Sequence, residues 1–159
     1  MLSLKIICVG TLKESYFRDA VAEYSKRLAA FCKLSVIQLK ETRVPDSPSE
    51  KEIHMALDDE AKSILAEMSP RAYKIAMCVE GKQLSSEKLA EKLAHIQSEH
   101  SEVCFVIGSS HGLSDKVKAA CDMRLSFSEL TFPHQLLRVI LLEAVYRAFN
   151  INAGTKYHK

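Results

Sequence analysis

Glycine and proline are scarce in this chain, five and four residues in 159. No segment is low in complexity, no stretch reads as a linker, and no unit repeats, so one domain covering 1–159 is the expectation. The formal net charge is only +2. That is too little to mark a nucleic-acid binder by bulk electrostatics, so any such contact must come from a local patch. The five cysteines are odd in number, lack CxxC spacing, and fall largely within apolar runs. They read as free thiols in a reducing, cytoplasmic compartment rather than a disulfide framework. The histidines and cysteines show no zinc-ligand spacing, so no metal is expected.

Two nucleotide sites are also missing. There is no GxxxxGK phosphate loop, and the first apolar run ends in Gly10-Thr11-Leu12 instead of a GxGxxG turn. The N-terminus carries no basic region before its apolar run and no cleavage site after it, and reads as a strand, not a signal peptide. The one long apolar stretch, near the C-terminus, contains Arg138, Glu143 and Arg147. It reads as a buried helix rather than a membrane span.

What is present alternates. Leu4 to Val9, Leu34 to Leu39, Tyr73 to Val79, Val103 to Ile107 and Met123 to Phe127 are short β-rich runs. Between them lie segments with helical spacing: from about Ser15, from Ser49 to before Pro70, from Ser85 or Ser86, and from Asp115 to Ala120. A last helix runs from Pro133 to about Phe149. The pattern predicts an α/β fold with a mostly parallel sheet. The last helix is apolar around nearly its whole circumference and must be buried on more than one side. A second subunit against it fits this pattern best, and a central core helix in a monomer is the alternative.

In open parallel sheets ligands bind beyond the carboxyl ends of strands. Three loops leave such ends here: Glu80-Gly81-Lys82, Gly108 to Gly112 (GSSHG), and Ser126 to His134 (SFSELTFPH). Glycine at 108 reads as room for a ligand to approach the backbone. From Arg138 to Lys159 four basic residues face one acid, with Tyr157 and His158 among them. This segment reads either as a frayed end with a simple Glu143–Arg147 ion pair or as an arm that stacks on bases and contacts phosphates.

Taken in order, Cys8-Val-Gly10-Thr-Leu-Lys13, the Glu80-Gly81-Lys82 turn, Val-Ile-Gly108 with His111-Gly-Leu113, Leu125-Ser-Phe-Ser-Glu-Leu-Thr-Phe-Pro-His134-Gln135, Glu143-Ala-Val-Tyr-Arg147-Ala-Phe149 and Tyr157-His158-Lys159 resemble the ribosomal RNA large subunit methyltransferase H family. The resemblance spans the whole chain. It implies a SPOUT-type sheet with helices on both faces and a C-terminal trefoil knot, in a homodimer. It implies methyl transfer from S-adenosylmethionine to N3 of a pseudouridine in 23S ribosomal RNA. Carried over by position, it puts the cofactor on Met77, Gly108, Phe127, Ser128, Glu129, Leu130, Thr131 and Phe132. It puts substrate-side chemistry on Glu143, Arg147, Tyr157 and His158, without choosing a base among them. The family often has leucine where Met77 stands and glycine where Ser109 stands. Two other classes fit the residues: a non-catalytic RNA-binding or ribosome-associated module, and a small-molecule methyltransferase, which would have no use for the basic tail.

Overall fold

The computed structural model describes residues 1–159. Five strands, β1 (Ser3–Val9), β2 (Lys33–Leu39), β3 (Tyr73–Gln83), β4 (Glu102–Ile107) and β5 (Met123–Ser126), alternate with α1 (Ser15–Leu28), α2 (Glu50–Glu67), α3 (Ser86–Glu99), α4 (Asp115–Ala119) and α5 (His134–Asn152). The sheet order is β2-β1-β4-β3-β5 and every pairing is parallel.

The order dictates which face each helix takes. A strand–helix–strand crossover is right-handed, so reversing its direction across the sheet moves its helix to the other face. β1 to β2 and β3 to β4 step one way. Their helices α1 and α3 bury Leu28, Leu89, Leu93 and Ile96 in one core, which α5 shares through Leu141, Leu142, Val145 and Ala148. β2 to β3 and β4 to β5 step the other way, and α2 and α4 bury Ala61, Ile64 and Val117 in the second core. β4 serves both layers, with Val103, Phe105 and Ile107 in one and Cys104 and Val106 in the other. That double burial is why it reads as an unbroken apolar run.

Local signals start the helices. Ser49 and Glu52 form a reciprocal capping box on α2, and Ser85 accepts from the Lys88 amide on α3. All five cysteines are free. Burial pushes the Cys104 thiol up to about 12 and the Cys8 thiol to about 11, so neither is a thiolate at neutral pH. No helix is long and apolar enough to cross a membrane.

Two boundaries differ from the sequence reading by three residues or more. β3 does not stop at Glu80-Gly81 but runs to Gln83, because Lys82 and Gln83 pair again with β5 after an irregularity between Met77 and Lys82. Gly81 makes this possible: a Cβ there would sit 2.7 Å from the Leu125 backbone. α5 continues three residues past Phe149, to Asn152, before the chain turns at Gly154, φ +70°.

Candidate functional site

Adjacent strands β3 and β4 send their chains to opposite faces of the sheet. Such a divergence leaves a crevice beyond the strand ends. A cavity of about 600 Å³ lies there, and ten of its twenty-two lining residues are hydrophobic. Its walls come from Met77 to Glu80 within β3, the loop after β4 (Gly108 to Leu113) and the segment Leu125 to His134 without Glu129, with Leu137 of α5.

The loop after β4 is held by its own backbone. The Gly112 amide donates to the Ser109 carbonyl at 2.9 Å, and Gly112 has φ +90°. A Cβ on Gly108 would lie 2.1 Å from the Gly112 carbonyl oxygen. Glycine at 108 is therefore required by the loop's own crossing, in addition to any room it leaves for a ligand. No residue other than glycine has positive φ, so serine at 109 sits in an ordinary conformation. The loop after β5 is shaped by a serine ladder: Ser126 donates to the Ser128 carbonyl at 2.9 Å, and the Leu130 amide donates to the Ser128 hydroxyl at 3.0 Å. At the rim, Lys118 pairs with Glu80 and holds that carboxyl below its usual range.

Of the eight positions carried over for the cofactor, Met77, Gly108, Phe127, Ser128, Leu130, Thr131 and Phe132 lie on the cavity wall, and Glu129 does not. Glu129 is exposed on the outer side of its turn. The sequence pattern marks the loop after β4 as a whole, and the resemblance carries over only Gly108 from it. Ser109, Ser110, His111, Leu113 and, beyond that loop, His134 also line the space. His134 was legible only as part of a loop, because nothing in its neighbours says that the chain turns it inward. Its pKa is lowered, first by burial and then by Arg138.

The other candidates form a second cluster. Arg147 donates to Glu143 Oε1 at 2.5 Å, and the Tyr157 hydroxyl donates to the same oxygen at 3.1 Å. The Arg147 guanidinium lies over the Tyr157 ring, 4.8 Å from its centroid. His158 faces Arg147 Nη1 through Nδ1 at 3.3 Å and Glu87 through Nε2 at 2.9 Å. A guanidinium only donates, so Nδ1 accepts and the proton belongs on Nε2. The tail is tied to α5 and α3, which corrects the frayed-end alternative. Burial, then the hydrogen bond to Glu143, raises the Tyr157 pKa. Arg138, counted with the basic tail in the sequence, is 2% exposed and belongs to the interior.

Within one chain these clusters are apart. The cavity meets α5 at His134 and Leu137, whereas Arg147 is 13 residues beyond His134, about 20 Å along the helix at ~1.5 Å per residue. No group of three or more His, Cys, Asp or Glu could hold a metal.

Comparison with known proteins shows the family and the fold. The family model described as "Predicted SPOUT methyltransferase" matches residues 2–158. The Ribosomal RNA large subunit methyltransferase H of Clostridioides difficile is 45% identical, with 99% of this chain and all of the relative covered. That of Clostridium novyi is 47% identical over the same shares. Among solved structures, a probable methylase family protein from Haemophilus influenzae superposes with TM-score 0.57 at 16% identity, covering all of this chain and 72% of that one. The tRNA (m1G37) methyltransferase of Aquifex aeolicus gives 0.52 at 16% identity, covering 91% and 69%. At that identity these two speak for the fold alone. The chain is a member of the SPOUT methyltransferases and, within them, of the ribosomal RNA large subunit methyltransferase H family.

Proposed function

We propose that the protein transfers a methyl group from S-adenosylmethionine to N3 of a pseudouridine in 23S ribosomal RNA, in the cytoplasm. Family membership supports the reaction class. The observation that carries the site is the mixed cavity at the β3–β4 divergence. Its apolar walls, Met77, Leu130 and Phe132, suit the adenine and the methionine chain, and the backbone of Phe127 to Phe132 offers amides and carbonyls to the base edge. When bound, the sulfonium supplies an already activated methyl group.

The chain's own task is then to orient the acceptor, exclude water and remove the N3 proton. Glu143 suits proton removal. Arg147 and Tyr157 both engage its Oε1, leaving Oε2 without a protein hydrogen bond. Arg147 can also stabilise the imide anion that forms. His158 has both ring nitrogens committed and acts as a positioning residue in this arrangement.

The separation of cavity and cluster supports a homodimer. Leu141, Leu142 and Val145 are buried within the subunit. On the opposite face of α5, at spacing of three and four, lie Leu136, Val139, Ile140, Glu143 and Arg147, all only partly buried. Antiparallel packing of two such faces about a two-fold axis near Ile140 would bring the partner's Arg147 level with His134, at the end of α5 that meets the cavity. The C-terminal trefoil knot is part of the same proposal.

Methyl transfer from labelled cofactor to free 23S RNA, large subunits and whole ribosomes, followed by mapping of the methylated nucleotide, tests this reading. Binding of S-adenosylmethionine without transfer to any of the three would replace it with a non-catalytic module.

A further inference from the structure

The cofactor cavity has a neighbour of opposite character. A cleft of about 420 Å³ opens at the carboxyl ends of β1 and β2, and only one of its nine lining residues is hydrophobic. His134 lines both spaces, so they adjoin. Lys13, Lys40 and Gln135 stand around this cleft over Gly10.

The cleft is built. Arg18 Nη1 donates to the Leu12 carbonyl at 3.1 Å and the Lys13 carbonyl at 2.7 Å, fixing the loop that carries Lys13. The Lys13 amide donates to Gln135 Oε1 at 3.2 Å, joining that loop to α5. Beneath Gly10 lies Arg138, 2% exposed. Its guanidinium donates to the carbonyls of Gly10 at 2.7 Å and Val9 at 3.3 Å and to Gln38 Oε1 at 3.1 Å, and its Nε has no partner. No carboxylate pairs with it. A buried cation answered only by neutral oxygens is costly, and its field extends toward any nearby polar space. His134 Nδ1 is also buried without a partner. Gly10 has φ +94°, and a Cβ there would lie 3.3 Å from the His134 ring. The one acid on the cleft, Glu41, accepts from the Ser110 hydroxyl through Oε1 at 3.5 Å, while its Oε2 reaches over Gly10, 3.6 Å from where a Cβ would stand, so the lysines and Arg138 must outweigh one carboxylate.

We propose that this cleft holds a backbone phosphate of the RNA next to the nucleotide being methylated, through Lys13 and Lys40 with Arg138 supplying positive potential from below. The assignment rests on the RNA methyltransferase reading above. Lys13 on its fixed loop and Lys40 just after β2 give position without reading sequence, as phosphate contacts do. A polar cleft that shares a wall with the reaction cavity is where the neighbouring phosphate falls when the target base enters that cavity.

The test compares three double variants of the full-length protein: Lys13→Glu/Lys40→Glu, Lys13→Arg/Lys40→Arg, and Lys51→Glu/Lys62→Glu on α2 as a control of equal net charge. Affinity for purified large ribosomal subunits is measured by co-sedimentation across a salt series, and S-adenosylmethionine affinity by calorimetry. The first variant should lose about tenfold or more in subunit affinity and show a flatter salt dependence. Its cofactor affinity should match the wild type. The arginine variant should bind like the wild type, and the α2 control should keep its affinity. Equal losses in the cleft and control variants, or no loss in the cleft variant, would overturn the assignment. Binding is read without turnover, so a wild type that binds subunits but transfers no methyl group would defeat the catalytic reading and leave the cleft to be judged on affinity alone.

Discussion

Gly108 and Gly112 cross so closely that a β-carbon on the first would lie 2.1 Å from the carbonyl oxygen of the second. The contact is backbone to backbone, so no side-chain rotation relieves it. The loop that closes the cofactor cavity depends on this crossing. Gly108→Ala should therefore reopen the loop and weaken S-adenosylmethionine by about tenfold or more. Calorimetry on a variant shown by circular dichroism to be folded checks this, and unchanged affinity would separate the loop from the cofactor.

Glu143 is the acceptor toward which Arg147 and Tyr157 converge. Glu143→Gln keeps an oxygen for both donors but removes the base. Methyl transfer should fall by about 100-fold or more, with cofactor affinity unchanged. Tyr157→Phe removes one hydrogen bond and should cost only about tenfold. Single-turnover rates at saturating cofactor distinguish them by the size of the fall.

The two faces of α5 should respond differently to charge. Leu141 is 0% exposed inside the subunit, so Leu141→Glu buries an unpaired carboxylate and should unfold the protein. Ile140 is only partly buried, so Ile140→Glu should leave a folded chain that sediments as a monomer and transfers no methyl group. A wild type that is itself monomeric at micromolar concentration would remove the dimer from the mechanism.

The buried imidazole of His134 gives a pH signature. Its folded pKa lies below the ordinary 6.5, from burial first and Arg138 second. The unfolded chain then takes up the proton more readily, so stability is complete above about pH 6.5 and declines as pH falls toward the lower folded value. His134→Asn should flatten that part of a stability-against-pH curve measured by urea unfolding.

Glu60 runs the other way. It is 5% exposed and burial raises its pKa, although its carboxylate accepts from the Thr42 amide at 2.9 Å. Its contribution is complete below the ordinary 4.5 and is lost as pH rises through the raised value. Glu60→Gln keeps an acceptor for Thr42 without the buried charge. Its stability at pH 7 should equal or exceed the wild type, and the advantage should shrink below pH 4.5.

The alternation of β-rich and helical runs was enough to read the fold class, and the serines at 49 and 85 marked where two helices begin. These are local properties: a cap, a period and a run of β-branched residues carry their meaning within a few neighbours. The resemblance across the chain likewise named the family from linear order. Three features depended on contacts between distant residues. Gly108 looked like space for a ligand until Gly112 was found against it. Arg138 looked like part of a basic tail, yet it lies under Gly10, 128 positions away. Glu129 sits between residues that line the cavity, yet it is exposed and lies off the cavity wall. In each case a residue's role is set by what packs against it from elsewhere in the chain, and no local pattern encodes that.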